Sequence, residues 1–232
     1  MFRDSIKGLD KIFKTDVNHT LTLAIVGEGG TLKSSFAYTL IASQCRNNDT
    51  LGIYITLEEG AQSLHLNLQS IGIPIEERLK IVDYNSLRRK FRGEEKHLAF
   101  LRMILSIIIS FKRQNEERFK YVVIDSLGAL YSLVDIADPR REMYHFFNTL
   151  RENDLTTTII MERIGLTESY AGAESMLFLV DGVIELGVVE TTQNVRRYIQ
   201  IKKMRAVKHD MEKFVLDIGD EGLEVLGPLY GY

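Results

Sequence analysis

A glycine-rich octapeptide, Gly27-Glu28-Gly29-Gly30-Thr31-Leu32-Lys33-Ser34, stands between the apolar run Leu21–Val26 and the stretch Ser35–Ser43, which has helical character. Strand, glycine turn, lysine-hydroxyl pair and helix, in that order, make a loop suited to phosphate. Glycine lets the backbone turn sharply and bring its N–H groups against phosphate oxygens, while the helix N-terminus adds partial positive charge. Lys33 would reach the β- and γ-phosphates of a nucleotide, the Ser34 hydroxyl would sit on Mg²⁺, and Ser35 would open the helix beside them. One position departs from the usual pattern: Leu32 stands where glycine normally precedes the lysine, and its Cβ crowds the loop. The bland alternative is a strand–turn–helix corner whose glycines only make the turn.

Two acidic positions fall where such a loop needs them. Asp125 ends the apolar run Lys120–Asp125 and is followed by Ser126. A carboxylate there orders the Mg²⁺ shell in phosphate-loop proteins, usually through water. The competing reading is a helix cap, which Ser126 serves equally well. Glu58-Glu59 follows the strand Leu51–Leu57. Ligands of an open parallel sheet sit outside the carboxyl ends of its strands, so this pair shares an edge with Gly27–Ser34 and Asp125. Glu58 is the expected base for the water attacking the γ-phosphate, with Glu59 as its neighbour. A dipole-favouring helix start is the alternative.

Lys202-Lys203-Met204-Arg205 closes a late strand, Val195–Lys203. Alternation puts Lys203 and Arg205 on one face. Two cations aimed one way suit a γ-phosphate, in cis or across a subunit interface, and equally suit a nucleic-acid backbone or a solvated strand face.

The elements that would carry these residues alternate. After the first helix come the strand Leu51–Leu57, a helix over Ala61–Ile71, the strand Leu79–Tyr84, a long helix over Glu94–Arg118, and the strand Lys120–Asp125. A helix from Asp138-Pro139 to Arg151 and the strand Thr156–Met161 complete the alternating part. Asp4–Phe13 is expected as a turn and short helix, and Gly165–Gly172 as a loop. From Gly182 onward the runs Val183–Glu190, Val195–Lys203 and Phe214–Ile218 alternate with short polar turns. The expected fold is therefore α/β, a mostly parallel central sheet flanked by helices with C-terminal antiparallel strands, in one domain over residues 1–232. The long helix is apolar nearly all round at Met103–Ile109, which fits burial between sheet and neighbours, or a subunit or partner surface.

Composition narrows the class. A net charge of −3 and a pI near 6.0 give no global attraction to nucleic acid or anionic membranes. The lone cysteine, Cys45, excludes an intrachain disulfide and fits a reducing cytoplasm, and its place on the apolar side of the first helix fits a core residue. The N-terminus reads as carrying no signal peptide, and no run reaches the ~18 apolar residues of a membrane span. The basic cluster Arg88-Arg89-Lys90 with Arg92 reads as a solvated face.

The order of Ser5–Phe13, the phosphate loop, Tyr54–Glu59, Tyr121–Ser126 and Lys203-Met204-Arg205 resembles the KaiC-like, RadA-like branch of the RecA superfamily of P-loop ATPases, from about Ser5 to Leu226. The resemblance implies ATP and Mg²⁺ as cofactors, hydrolysis to ADP and phosphate that switches conformation or assembly, and a homo-oligomer, a hexameric ring, with active sites between subunits. It also implies Glu58 and Glu59 as catalytic carboxylates, Asp125 and Ser34 at the metal, and Lys203 and Arg205 at a neighbour's γ-phosphate. Met176–Asp181 matches the region where the clock member of the family phosphorylates itself, but holds no hydroxyl. Other readings are a recombinase-accessory ATPase that binds DNA through Tyr131–Arg141 and Arg163–Tyr170, and a nucleotide-holding regulator with little turnover.

Overall fold

Short β-branched runs separated by amphipathic segments cannot bury their apolar faces alone, and here they pair through parallel crossovers into one twisted sheet. The structure, a computed structural model, describes residues 2–90, 97–132, 138–162, 176–190 and 194–229. Its elements are β1 (Thr22–Gly27), α1 (Lys33–Asn47), β2 (Leu51–Thr56), α2 (Ala61–Ser70), β3 (Leu79–Asp83), α3 (Tyr84–Lys90), α4 (His97–Asn115), β4 (Phe119–Asp125), α5 (Leu127–Ser132), α6 (Pro139–Glu152) and β5 (Thr156–Glu162). The C-terminal strands β6 (Gly182–Glu190), β7 (Val195–Met204), β8 (Phe214–Gly219) and β9 (Gly222–Pro228) follow. Phe2–Asp4 and Leu9–Lys11 form single 3₁₀ turns before β1, in place of the expected short helix.

Among the described residues the sheet has nine strands in the order β3-β2-β4-β5-β1-β6-β7-β8-β9. From β3 to β6 all neighbours are parallel, and from β6 to β9 all are antiparallel. Strand β6 therefore belongs to both sections, parallel to β1 on one side and antiparallel to β7 on the other. The mostly parallel sheet with an antiparallel C-terminal extension is as expected from the sequence. Three elements were not expected: the short helices α3 and α5, and β9.

Alternate residues of each central strand feed two separate apolar layers. Leu23 and Ile25 of β1, Tyr54 of β2 and Val123 of β4 join Phe36, Leu40 and Ile41 of α1 and Leu64 and Leu68 of α2. Ala24, Ile53, Ile55, Val122 and Ile124 join Ile104 and Ile108 of α4 and Met143, Phe146 and Phe147 of α6. Helix α4 thus buries one side on the sheet, while Arg102, Ser106 and Ser110 lie exposed on the other, which favours the burial account of its apolar middle. Cys45 is fully buried, and desolvation pushes its thiol up to about 12, so it is an inert core residue. Helix α6 opens as its sequence dictates, with Asp138 accepting from the Arg141 amide and Pro139 in the first turn.

Candidate functional site

Strand β1 lies at the centre of the sheet, paired to β5 and β6, and delivers Gly27 to its carboxyl end. A Cβ on Gly27 would lie 2.2 Å from the Leu186 carbonyl oxygen, so the close strand approach requires glycine there. The chain then turns through two left-handed residues, Gly30 (φ 76°) and Leu32 (φ 69°). Leu32 thus occupies the backbone conformation that glycine normally supplies before the lysine. A non-glycine residue there costs on the order of 1 kcal/mol. Its half-buried side chain packs against the core layer around α1, which offsets that cost. Leu32 itself lines the cleft, while a Cβ at Gly29 or Gly30 would meet nothing within 4 Å. Helix α1 begins at Lys33, two residues before the expected start, and Leu32 provides no side-chain cap to its first amides. Those amides are the donors that a phosphate recruits.

Lys33 is 8% exposed. Its Nζ donates to the Glu28 carbonyl at 2.7 Å and lies 4.0 Å from Oε1 of Glu162 at the end of β5. Burial pulls the ammonium below its ordinary value, against the opposing pull of Glu162, Asp125, Glu58 and Glu28. The Thr31 hydroxyl donates to the same Glu28 carbonyl at 2.8 Å, which ties the loop to itself.

The carboxylates divide by partner. Asp125, at the end of β4, is 6% exposed, and its Oδ2 accepts from the Tyr54 hydroxyl at 2.6 Å. Burial raises the Asp125 carboxyl, while hydrogen bonds from Tyr54 and Ser34 lower it, and burial prevails. Burial also raises Tyr54 well above its ordinary value, so the phenol keeps its proton and acts as donor. Glu58 accepts from the Ser126 hydroxyl, which sets it beside Asp125. Glu59 turns the other way and accepts from Ser63 Oγ at 2.9 Å and Asn67 Nδ2 at 3.0 Å, both on α2.

Gly29–Ser35, Glu58, Glu59, Asp125, Ser126 and Glu162 line one open cleft of about 400 Å³. Gly27 and Glu28 form its stem. Two hard oxygen groups that hydrogen-bond to each other, the Ser34 hydroxyl and the Asp125 carboxylate, meet in this cleft, a donor set that fits Mg²⁺ shared with phosphate oxygens. Among the described residues no group of three His, Cys, Asp or Glu is placed to hold a metal ion.

Lys203 and Arg205 are elsewhere. Strand β7 runs antiparallel to β6, so its last residue, Met204, pairs with Gly182, and Gly182 pairs with Leu23 near the start of β1. The two cations therefore lie at the amino edge of the parallel strands, about 16 Å along β1 from the loop at the usual strand rise. Lys203 Nζ donates to the carbonyls of Leu177 (3.1 Å) and Val180 (2.6 Å), and Arg205 Nη1 to Asp181 Oδ1 (3.0 Å). Both reach the 177–181 turn, Lys203 from β7 and Arg205 from the turn beyond it. A cis reach to the same chain's phosphate loop, left open by the sequence, is excluded by this topology.

Four residues in or against the cleft were given no site role from the sequence. Tyr54, Ser126 and Glu162 adjoin the acidic strand ends, and their positions at the carboxyl edge were the available signal. Arg197, near the start of β7, donates Nε to the Gly30 carbonyl at 3.2 Å, a contact that needs the β6–β7 pairing to be known. Arg163–Tyr170, Gly165–Gly172 and Arg92 lie outside the described residues, as does most of the loop within Tyr131–Arg141.

A central parallel sheet with a phosphate loop after β1 and acidic ends on β2 and β4 defines a P-loop nucleotide-binding protein of RecA type. Residues 3–230 match the family described as "ATPase: KaiC", and the chain belongs to that family. It is 24% identical over 231 residues to a UPF0273 protein of Aeropyrum pernix, covering 96% of this chain and 92% of that one. It is 26% identical over 234 residues to the circadian clock oscillator protein KaiC of Prochlorococcus marinus subsp. pastoris, covering 95% of this chain and 44% of that protein. The chain thus spans less than half of the clock protein it matches. In three dimensions it resembles a KaiC-like protein from Pyrococcus horikoshii OT3, with a TM-score of 0.74, 27% identity and 96% of each chain covered. Family membership makes this an ATP-binding protein of the RecA superfamily. No helix among the described residues is long and apolar enough to cross a membrane.

Proposed function

We propose that residues 1–232 form one cytoplasmic ATPase unit that assembles into a homo-oligomeric ring, six-membered by analogy with the family, and hydrolyses ATP to ADP and phosphate to switch its conformation or assembly. The observation that carries this reading is the division of the catalytic set. The phosphate loop, Glu58 and Asp125 line one cleft, whereas Lys203 and Arg205 stand on the opposite edge of the same sheet. Neighbours in a head-to-tail ring would bring one chain's amino edge to the next chain's cleft.

In this reading the amides of Gly29–Ser35 and the Lys33 ammonium hold the β- and γ-phosphates. Ser34 and Asp125 hold Mg²⁺, which supplies charge neutralisation on the phosphates. Glu58, kept in place by Ser126, takes the proton from the attacking water, and Glu59 fixes the start of α2 beside it. Lys203 and Arg205 of the neighbour compensate the charge that builds on the γ-phosphate.

Complementation tests this. Lys33→Ala and Arg205→Ala alone are each expected to release phosphate at a small, still measurable fraction of the wild-type rate. Mixed in conditions where subunits exchange, they regain part of the phosphate release, because some interfaces pair an intact loop with an intact arginine. Failure to recover in mixtures shown to exchange would overturn the shared site.

A further inference from the structure

Asp181 sits in the turn before β6, with its side chain 14% exposed, and four contacts converge on it. Its Oδ2 accepts from the Thr22 amide at 2.9 Å and from Arg151 Nη2 of α6 at 3.1 Å. Its Oδ1 accepts from Arg205 Nη1 at 3.0 Å, and its backbone carbonyl from the Arg205 amide at 2.9 Å. One oxygen is thus fixed by the two elements that frame the turn, and the other is presented to Arg205. The same turn offers the carbonyls of Leu177 and Val180 to Lys203. Burial alone would raise the Asp181 carboxyl, but the Thr22 amide, Arg151 and Arg205 outweigh it and hold it below the usual carboxylate range.

From this geometry we propose that Asp181 is the positioning residue for the Lys203–Arg205 pair, with the 177–181 turn as its cradle. The inference rests on the shared-site reading above. The Arg205 side chain is 57% exposed, so only a fixed anchor keeps its long chain from sampling many rotamers. Among the described residues in contact with this turn, three cations, Arg151, Arg205 and Lys203, face the one carboxylate of Asp181. Asp181 can therefore orient the guanidinium without cancelling the charge that a phosphate would meet. Arg151 serves one step further back, by holding Asp181 against β1.

The test is a double-mutant cycle on phosphate release, using Asp181→Asn, Arg205→Ala and the double variant at concentrations where assembly is complete. Asp181→Asn is expected to lower kcat by about 10- to 100-fold, the range for a misplaced catalytic group, with the KM for ATP little changed. In the Arg205→Ala background the same substitution is expected to cost nothing further. Asp181→Glu, which keeps the charge but moves it by one methylene, should recover part of the turnover, and it supplies the reading if Asp181→Asn does not fold. A loss in the Arg205→Ala background equal to that in the wild type would assign Asp181 a merely structural role and overturn the inference. Full turnover in Arg205→Ala alone would instead sink the shared-site reading on which it rests.

Discussion

The Tyr54 hydroxyl donates to Asp125 Oδ2 at 2.6 Å and joins the carboxyl ends of β2 and β4 inside the sheet's buried layer. A buried carboxylate that keeps such a donor can stay available to a metal without wandering from its strand. Tyr54→Phe removes the donor and leaves Asp125 with Ser34 alone. A hydrogen bond to a charged group contributes about 1.5–3 kcal/mol, so stability by urea denaturation should fall by roughly that amount. The Mg²⁺ concentration needed for half-maximal ATP binding should rise. Unchanged values for both would mean the contact carries neither load.

Lys33 is held in the fold against a desolvation cost. Its folded value lies below 10.5, so the unfolded chain binds the proton more tightly. Stability of the ligand-free protein therefore rises with pH from the folded value up to 10.5, and at neutral pH the buried ammonium subtracts from it. Lys33→Met should leave the ligand-free protein at least as stable as wild type near pH 7 and remove this part of the pH slope. ATP affinity should fall by about 100-fold or more, since charge facing the phosphates is lost. Calorimetric ATP binding equal to wild type would show that the loop is not the nucleotide site.

Local chemistry carried most of the site into view. A glycine loop, Lys33-Ser34 and acidic strand ends are each readable because the βα order alone places them on one edge. Leu32 could be named as a departure, but only backbone angles reveal that it accepts the left-handed geometry and that its side chain has a core to pack on. The parallel pairing of β6 with β1 was hidden, since Val183–Glu190 alternates like its antiparallel neighbours. Without that pairing, neither the distance of Lys203 and Arg205 from the loop nor the contact of Arg197 with Gly30 could be seen. Helices α3 and α5, at seven and six residues, are too short for a 3.6-residue period to register.

Leu32 offers a sign test of backbone strain. Leu32→Ala keeps the left-handed strain and loses the packing, and should cost about 1 kcal/mol or more. Leu32→Gly loses the same packing but relieves on the order of 1 kcal/mol of strain, so the glycine variant should be the more stable of the two. That order reverses the usual preference at helix positions. Thermal melts of the pair decide it: an alanine variant at least as stable as the glycine variant would mean that Leu32 is unstrained.

Glu58 and Glu59 are adjacent in sequence and differ in their hydrogen-bond partners. Glu58 is tied to Ser126 beside Asp125, whereas Glu59 is spent on Ser63 and Asn67 of α2. A general base contributes about 10²- to 10⁴-fold to a proton-transfer step, so Glu58→Gln should lower kcat by at least ~10² while ATP still binds. Glutamine can still accept the Ser126 hydrogen bond, so the geometry of the cleft should survive and the loss should be one of basicity alone. Glu59→Gln keeps an acceptor for both α2 donors and should lower kcat by about tenfold at most, well short of a lost base. Single-turnover phosphate release with saturating ATP separates the two from any change in affinity. If Glu59→Gln proves the more damaging, the base is Glu59, and its α2 contacts must open when nucleotide arrives.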